Sequence, residues 1–82
     1  MNKVPLTIEM LKYQFDLNGE IEFQYQNKKY YIFFSTKILV GEQYNANDEH
    51  SYDDLNALLN DYKIDGIAFI NILPETDLIW MS

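Results

Sequence analysis

Residues 21–34, IEFQYQNKKYYIFF, alternate apolar and polar side chains on either side of a short polar break, the pattern of a half-buried β-hairpin. With a two-residue loop at Asn27-Lys28, Tyr25 lies opposite Tyr30, Phe23 opposite Ile32 and Ile21 opposite Phe34, so six apolar side chains share one face. A slip of one residue would mix Glu22 and Gln24 into that set, so the alternation favours this register. Lys28 would need a positive φ in a type I′ turn, and a longer loop reaching Lys29 therefore competes. The reverse face carries Glu22, Gln24, Gln26 and Lys29 together with Tyr31 and Phe33. These two aromatics either pack beneath another element or form an exposed contact patch.

The flanking segments read as elements that cover this hairpin. Ile8, Leu11 and Phe15 fall at i, i+3 and i+7 behind Thr7, a permissible N-cap preceded by Pro5, and Asn18-Gly19 offers a left-handed stop. A helix over residues 7–17 is expected, although Thr, Ile, Tyr and Phe also suit a strand; Lys12 and Gln14 are expected to face water. Ser35-Thr36-Lys37 turns the chain into a third strand over residues 38–44, with Gly41 marking a bulge. NANDEH, residues 45–50, has no hydrophobic period and reads as a polar loop.

Ser51 is the expected N-cap of the clearest helix, followed three residues later by Asp54, with Asp53 and Asp54 in the first turn where the helix dipole favours negative charge. Leu55, Leu58, Leu59 and Tyr62 form the apolar stripe of a helix packed on a sheet, while Asp54, Ala57 and Asp61 face solvent. Lys63 to Gly66 breaks the chain, and Asp65 can cap a short helix over residues 67–73, a run whose β-branched residues equally suit a strand. Glu75-Thr76 turns into a final strand over residues 78–81, whose Trp80 is expected to join the core. The expected fold is α+β, one domain over residues 1–82, with an N-terminal helix, a three-stranded antiparallel meander, one or two covering helices and a short C-terminal strand.

The succession of Gly-Glu-x-Glu-Phe-x-Tyr, a Lys-Lys-Tyr return, Ser-Tyr-Asp-Asp-Leu and Lys-Ile-Asp-Gly, covering residues 19–72, resembles small uncharacterised proteins of low-GC Gram-positive bacteria and their phages. In that pattern a polar-faced helix follows Ile-Asp-Gly, whereas Ile67 and Ile70 stand here where charged residues are usual. The resemblance implies a fold and no activity.

Composition narrows the picture further. Eighty-two residues make one domain that buries roughly 60 to 65% of its unfolded surface, and 48% hydrophobic with 16% aromatic residues suffices for a folded chain. The absence of cysteine removes disulfides, zinc–thiolate sites and thiol catalysis together. Neither a signal-peptide run nor an uninterrupted apolar stretch of about 18 residues occurs, so a cytoplasmic protein without membrane association is expected. All six basic residues are lysines, and Asn, Ile, Tyr, Phe and Lys have AT-rich codons, consistent with an AT-rich bacterium or phage.

The net charge of −7 is uneven: residues 1–41 carry four acids against five lysines, and residues 42–82 carry nine acids against Lys63 alone. That balance argues against direct contact with a nucleic-acid backbone, which needs clustered cations, and the aromatic strands have only Lys28, Lys29 and Lys37 near them. His50, the one histidine, stands beside Asp48, Glu49, Asp53 and Asp54 without EF-hand spacing, no serine sits in a Gly-x-Ser-x-Gly elbow, and no phosphate loop exists. No catalytic residue, cofactor or metal is expected. The preferred expectation is a small acidic protein-interaction module, an inhibitor or regulator of a basic partner protein such as one with a nucleic-acid groove. The alternative is self-association as a homo-oligomeric scaffold, with Tyr31, Phe33, Ile67 or Ile70 in a symmetric interface. The expected partner face comprises Asp53, Asp54, Asp61 and Asp65 on the acidic side and Tyr31 and Phe33 on the sheet.

Overall fold

The computed structural model describes residues 3–82 as a mixed α+β fold built on a five-stranded antiparallel sheet. Helix α1 (Ile8–Leu17) leads into strands β1 (Glu20–Tyr25), β2 (Lys28–Phe34), β3 (Ile38–Glu42) and β4 (His50–Tyr52). Helix α2 (Leu55–Asp61), a two-strand hairpin of β5 (Lys63–Ile64) and β6 (Ile67–Ala68), helix α3 (Phe69–Ile72) and strand β7 (Asp77–Met81) complete the chain. The sheet order is β4-β3-β2-β1-β7, so the meander has four strands rather than three, and β7 returns to pair with β1 at the opposite edge.

The six apolar residues of the hairpin are all buried on one face, as their alternation predicts. Their pairing differs: Tyr25 pairs with Lys28, Phe23 with Tyr30 and Ile21 with Ile32, around a turn at Gln26-Asn27 in which both residues take positive φ (53° and 63°). This register is displaced by two residues from the expected one. Hydrophobic alternation is blind to a shift of two, because such a shift leaves every side chain on its original face. Phe23 consequently stacks on Tyr30, with ring centroids 5.2 Å apart.

Against this face pack Leu11 of α1, Leu58 and Leu59 of α2, and Phe69 and Ile72 of α3, all in one hydrophobic cluster. Thr7 caps α1 by accepting from the Met10 N–H, and Asn18 closes it in the left-handed conformation. Gln14 is buried, not solvated: its Oε1 has no hydrogen-bond partner and abuts Gly19. Gly19 is therefore a close-approach glycine, since a Cβ there would also meet the Ser82 carbonyl oxygen at 2.5 Å. Gly41 has the same role and makes no bulge: it pairs regularly with Tyr31, and a Cβ would lie 3.0 Å from the Asp48 carbonyl oxygen.

The loop expected at residues 45–50 contains a 3₁₀ turn, Ala46–Asp48, and delivers His50 and Ser51 to β4. Ser51 is thus a strand residue, and the N-cap of α2 is Asp54, whose carboxylate accepts from the Ala57 N–H at 2.8 Å. The segment 67–73 divides between the expected types: Ile67–Ala68 is strand and Phe69–Ile72 is helix, with Ala68 at its N-cap. Asp65 caps nothing and occupies, with Gly66, the positive-φ turn between β5 and β6.

The N-terminal segment fastens the start of β7. Leu6 N–H donates to Thr76 Oγ1, Val4 N–H donates to Asp77 Oδ1, and Leu78 N–H donates to the Val4 carbonyl. Beyond this clamp the β1–β7 register shifts: Phe23 pairs with Leu78, but Glu22 pairs with Trp80, leaving Ile79 as an extra residue. Such a bulge breaks the period of two. Leu78 consequently joins the core side, whereas Trp80 emerges beside Glu22 on the outer face, 46% exposed, contrary to its expected place in the core.

Candidate protein-docking face

Helices α1, α2 and α3 all pack buried side chains into the core on the inner face of the sheet, and on the outer face the Asp48–Glu49 segment lies against Gly41 and Tyr31 while Phe33 and Trp80 stay exposed. Tyr31 and Phe33 follow at i and i+2 on β2 and pack ring to ring, 5.3 Å between centroids. Phe33 is 43% exposed and Tyr31 half-buried, so neither ring is fully packed beneath another element. Tyr31, Phe33, Ile79 and Trp80, with Glu20 and Glu22, line an open groove of about 650 Å³. Leu39 borders Phe33 on the β3 side.

Polar contacts fix the groove's walls. Tyr31 O–H donates to Glu49 Oε1 at 2.5 Å, and Gln43 Nε2 donates to Glu22 Oε1 at 2.7 Å. Partial burial together with the Glu49 carboxylate pushes the Tyr31 phenol up to about 12, so it stays protonated and keeps donating throughout the neutral range. The groove therefore joins a wall of aromatic carbon to fixed carboxylates, an arrangement suited to side chains that are apolar along their stem and cationic at the tip.

The four acids expected to form a face are spread over different tasks. Asp53 pairs with Lys37 at 3.0 Å on the surface, and Asp54 is occupied as the α2 cap. Asp61 ends α2 and raises the Tyr52 phenol, after desolvation, through its charge; Asp65 lies in the β5–β6 turn. Ile67 on β6 and Ile70 on α3 are exposed, at 44% and 38%, and line no part of the groove. His50 stands 3.7 Å from Asp48 and packs on Tyr62, and among the described residues no group of three or more His, Asp or Glu side chains is gathered to hold a metal ion. No described helix is long and apolar enough to cross a membrane.

Sequence reasoning found Tyr31 and Phe33 and missed Trp80, Ile79, Leu39, Glu20 and Glu49. Leu39 was accessible by parity, since Ile38 and Val40 point inward. Trp80 was not, because its orientation depends on a bulge that alternation does not encode. No family model, no curated protein and no solved structure matches the chain.

Proposed function

We propose that this protein is an interaction module that docks a basic partner protein on the helix-free face of its sheet, and thereby regulates or inhibits that partner. One observation carries the reading: the β7 bulge brings Trp80 to the same uncovered face as Tyr31 and Phe33, beside Glu20 and Glu22. An exposed aromatic cluster of this kind is costly to leave in water and is a common anchor of binding hot spots. The carboxylates around it, within a chain of net charge −7, favour a partner with lysines and arginines and speed encounter with it. The same charge opposes docking of a second copy, which brings seven further negative charges to the contact.

Selection of binding peptides from a random display library tests the reading. The expected winners combine aromatic with basic residues, bind more weakly as salt rises, and lose binding to Phe33→Ser and Trp80→Ser while keeping it to Asp61→Asn. Winners insensitive to both groove substitutions overturn the docking face, and sedimentation as a salt-insensitive dimer replaces it with the homo-oligomeric alternative.

A further inference from the structure

The pairing of the strands sets three side chains of the outer face in one row. Glu22 on β1 pairs with Trp80 on β7 and, on its other side, with Tyr31 on β2, and all three line the open groove of about 650 Å³. Neighbouring strands lie about 4.8 Å apart, so Trp80 and Tyr31 rise from backbones about 10 Å apart with Glu22 midway between them. A flat group lying against two rings needs about 3.5–4 Å to each, or about 7–8 Å in all. The row is therefore wide enough for one planar group between the rings and too narrow for two.

Its walls and floor are held in place. The Tyr31 ring is braced by Phe33 and tethered through its O–H to Glu49. Glu22 is half-buried, and its Oε1 accepts from Gln43 Nε2 at 2.7 Å, which orients the carboxylate without neutralising it. Glu22 takes part in neither of the ion pairs among the described residues, Lys37–Asp53 and His50–Asp48. An ionised carboxylate accepts about four hydrogen bonds, so most of its capacity remains for a ligand. A carboxylate on the floor of an aromatic slot selects a cation, and the flatness of the slot selects among cations. A guanidinium is planar, weakly hydrated and stacks on aromatic faces while donating in its own plane to a carboxylate, whereas an ammonium is a compact and strongly hydrated point charge.

We propose that the Trp80–Glu22–Tyr31 row is an arginine-binding slot: the guanidinium of a partner protein's arginine lies between the two rings and donates to Glu22. Glu20, which pairs with Phe33 in the adjoining row, adds negative charge at the mouth. This inference rests on the docking face proposed above and names the side chain that the face takes.

Trp80 is the single tryptophan, so its fluorescence reports on the slot directly. The full chain is titrated with acetyl-Gly-Arg-Gly amide and with the same peptide carrying lysine or citrulline in place of arginine. The expected result is a saturable change in emission. The arginine peptide should bind about fivefold tighter than the lysine peptide, and about tenfold tighter than the citrulline peptide, which keeps the planar shape and loses the charge. Glu22→Gln should weaken the arginine peptide about tenfold and bring it level with citrulline, while Tyr31→Phe keeps the stacking face and the arginine preference. The peptide comparisons use the unaltered protein, so they decide the matter even if a variant does not fold. Lysine or citrulline binding as tightly as arginine, or arginine binding indifferent to Glu22→Gln in the folded variant, overturns the slot. If display-selected peptides still lose binding to Phe33→Ser in that event, the slot alone fails and the docking face stands. If they too are indifferent to Phe33→Ser, both fail.

Discussion

Phe33 and Phe34 are adjacent in β2 and point to opposite faces of one sheet, which makes them a matched pair for measuring what covers each face. Phe34 is 1% exposed and meets Phe15 edge to face, with ring centroids 6.3 Å apart. Truncating a buried phenylalanine to alanine costs about 3–5 kcal/mol in lost transfer energy and residual cavity. Phe33 keeps 43% of its surface in water, so Phe33→Ala forfeits about half of the roughly 1.5–3 kcal/mol of full burial, or about 1 kcal/mol. At roughly 0.05–0.15 kcal/mol per residue, a chain of 82 residues has a total stability of about 4–12 kcal/mol. Phe34→Ala therefore removes much of the stability and Phe33→Ala little of it. With a urea m-value of about 1 kcal/mol/M for so small a domain, the midpoints should fall by about 3 M or more and by about 1 M respectively. Phe34→Leu, with a smaller volume change, keeps the comparison measurable if Phe34→Ala does not fold. Equal midpoint shifts for Phe33→Ala and Phe34→Ala would refute the reasoning, because they would mean that the outer face is covered in solution.

Three further outcomes follow from individual contacts. Gly19→Ala should destabilise by about 1–3 kcal/mol in thermal unfolding, because its Cβ meets Gln14 and the Ser82 carbonyl, and Gln14→Ala in the same chain should recover part of the loss by vacating that space. Asp54→Ala should cost about 0.5–2 kcal/mol as loss of the α2 cap, whereas Ser51→Ala, on an edge strand, should be near neutral; the reverse order in urea melts would return the cap to Ser51. In an alkaline titration followed by phenolate absorbance, Tyr30 and Tyr31 should ionise near pH 12. Their folded-state values lie above the ordinary value of 10.0, so the stability linked to them is complete below about pH 10 and is lost as pH rises through 12. Unfolding that sets in well below pH 10 contradicts that assignment.

The sequence by itself determined the inward face of the hairpin and the stripe of α2 that covers it. Period-two alternation assigned Ile21, Phe23, Tyr25, Tyr30, Ile32 and Phe34 to one face, and the 3.6-residue stripe assigned Leu58, Leu59 and Tyr62 to cover it. Both are local signals, set by backbone geometry and the preference of apolar surface to leave water. Tertiary structure decided whatever alternation cannot encode. Registers of equal parity bury the same residues, so only the assembled sheet selected the Gln26-Asn27 turn. Gln14 is buried with its Oε1 against Gly19, a close approach invisible to a helical wheel. The sheet-face groove belongs to this second group: Tyr31 and Phe33 were legible as a pair, but Trp80 joins them only because a single extra residue in β7 reverses its face.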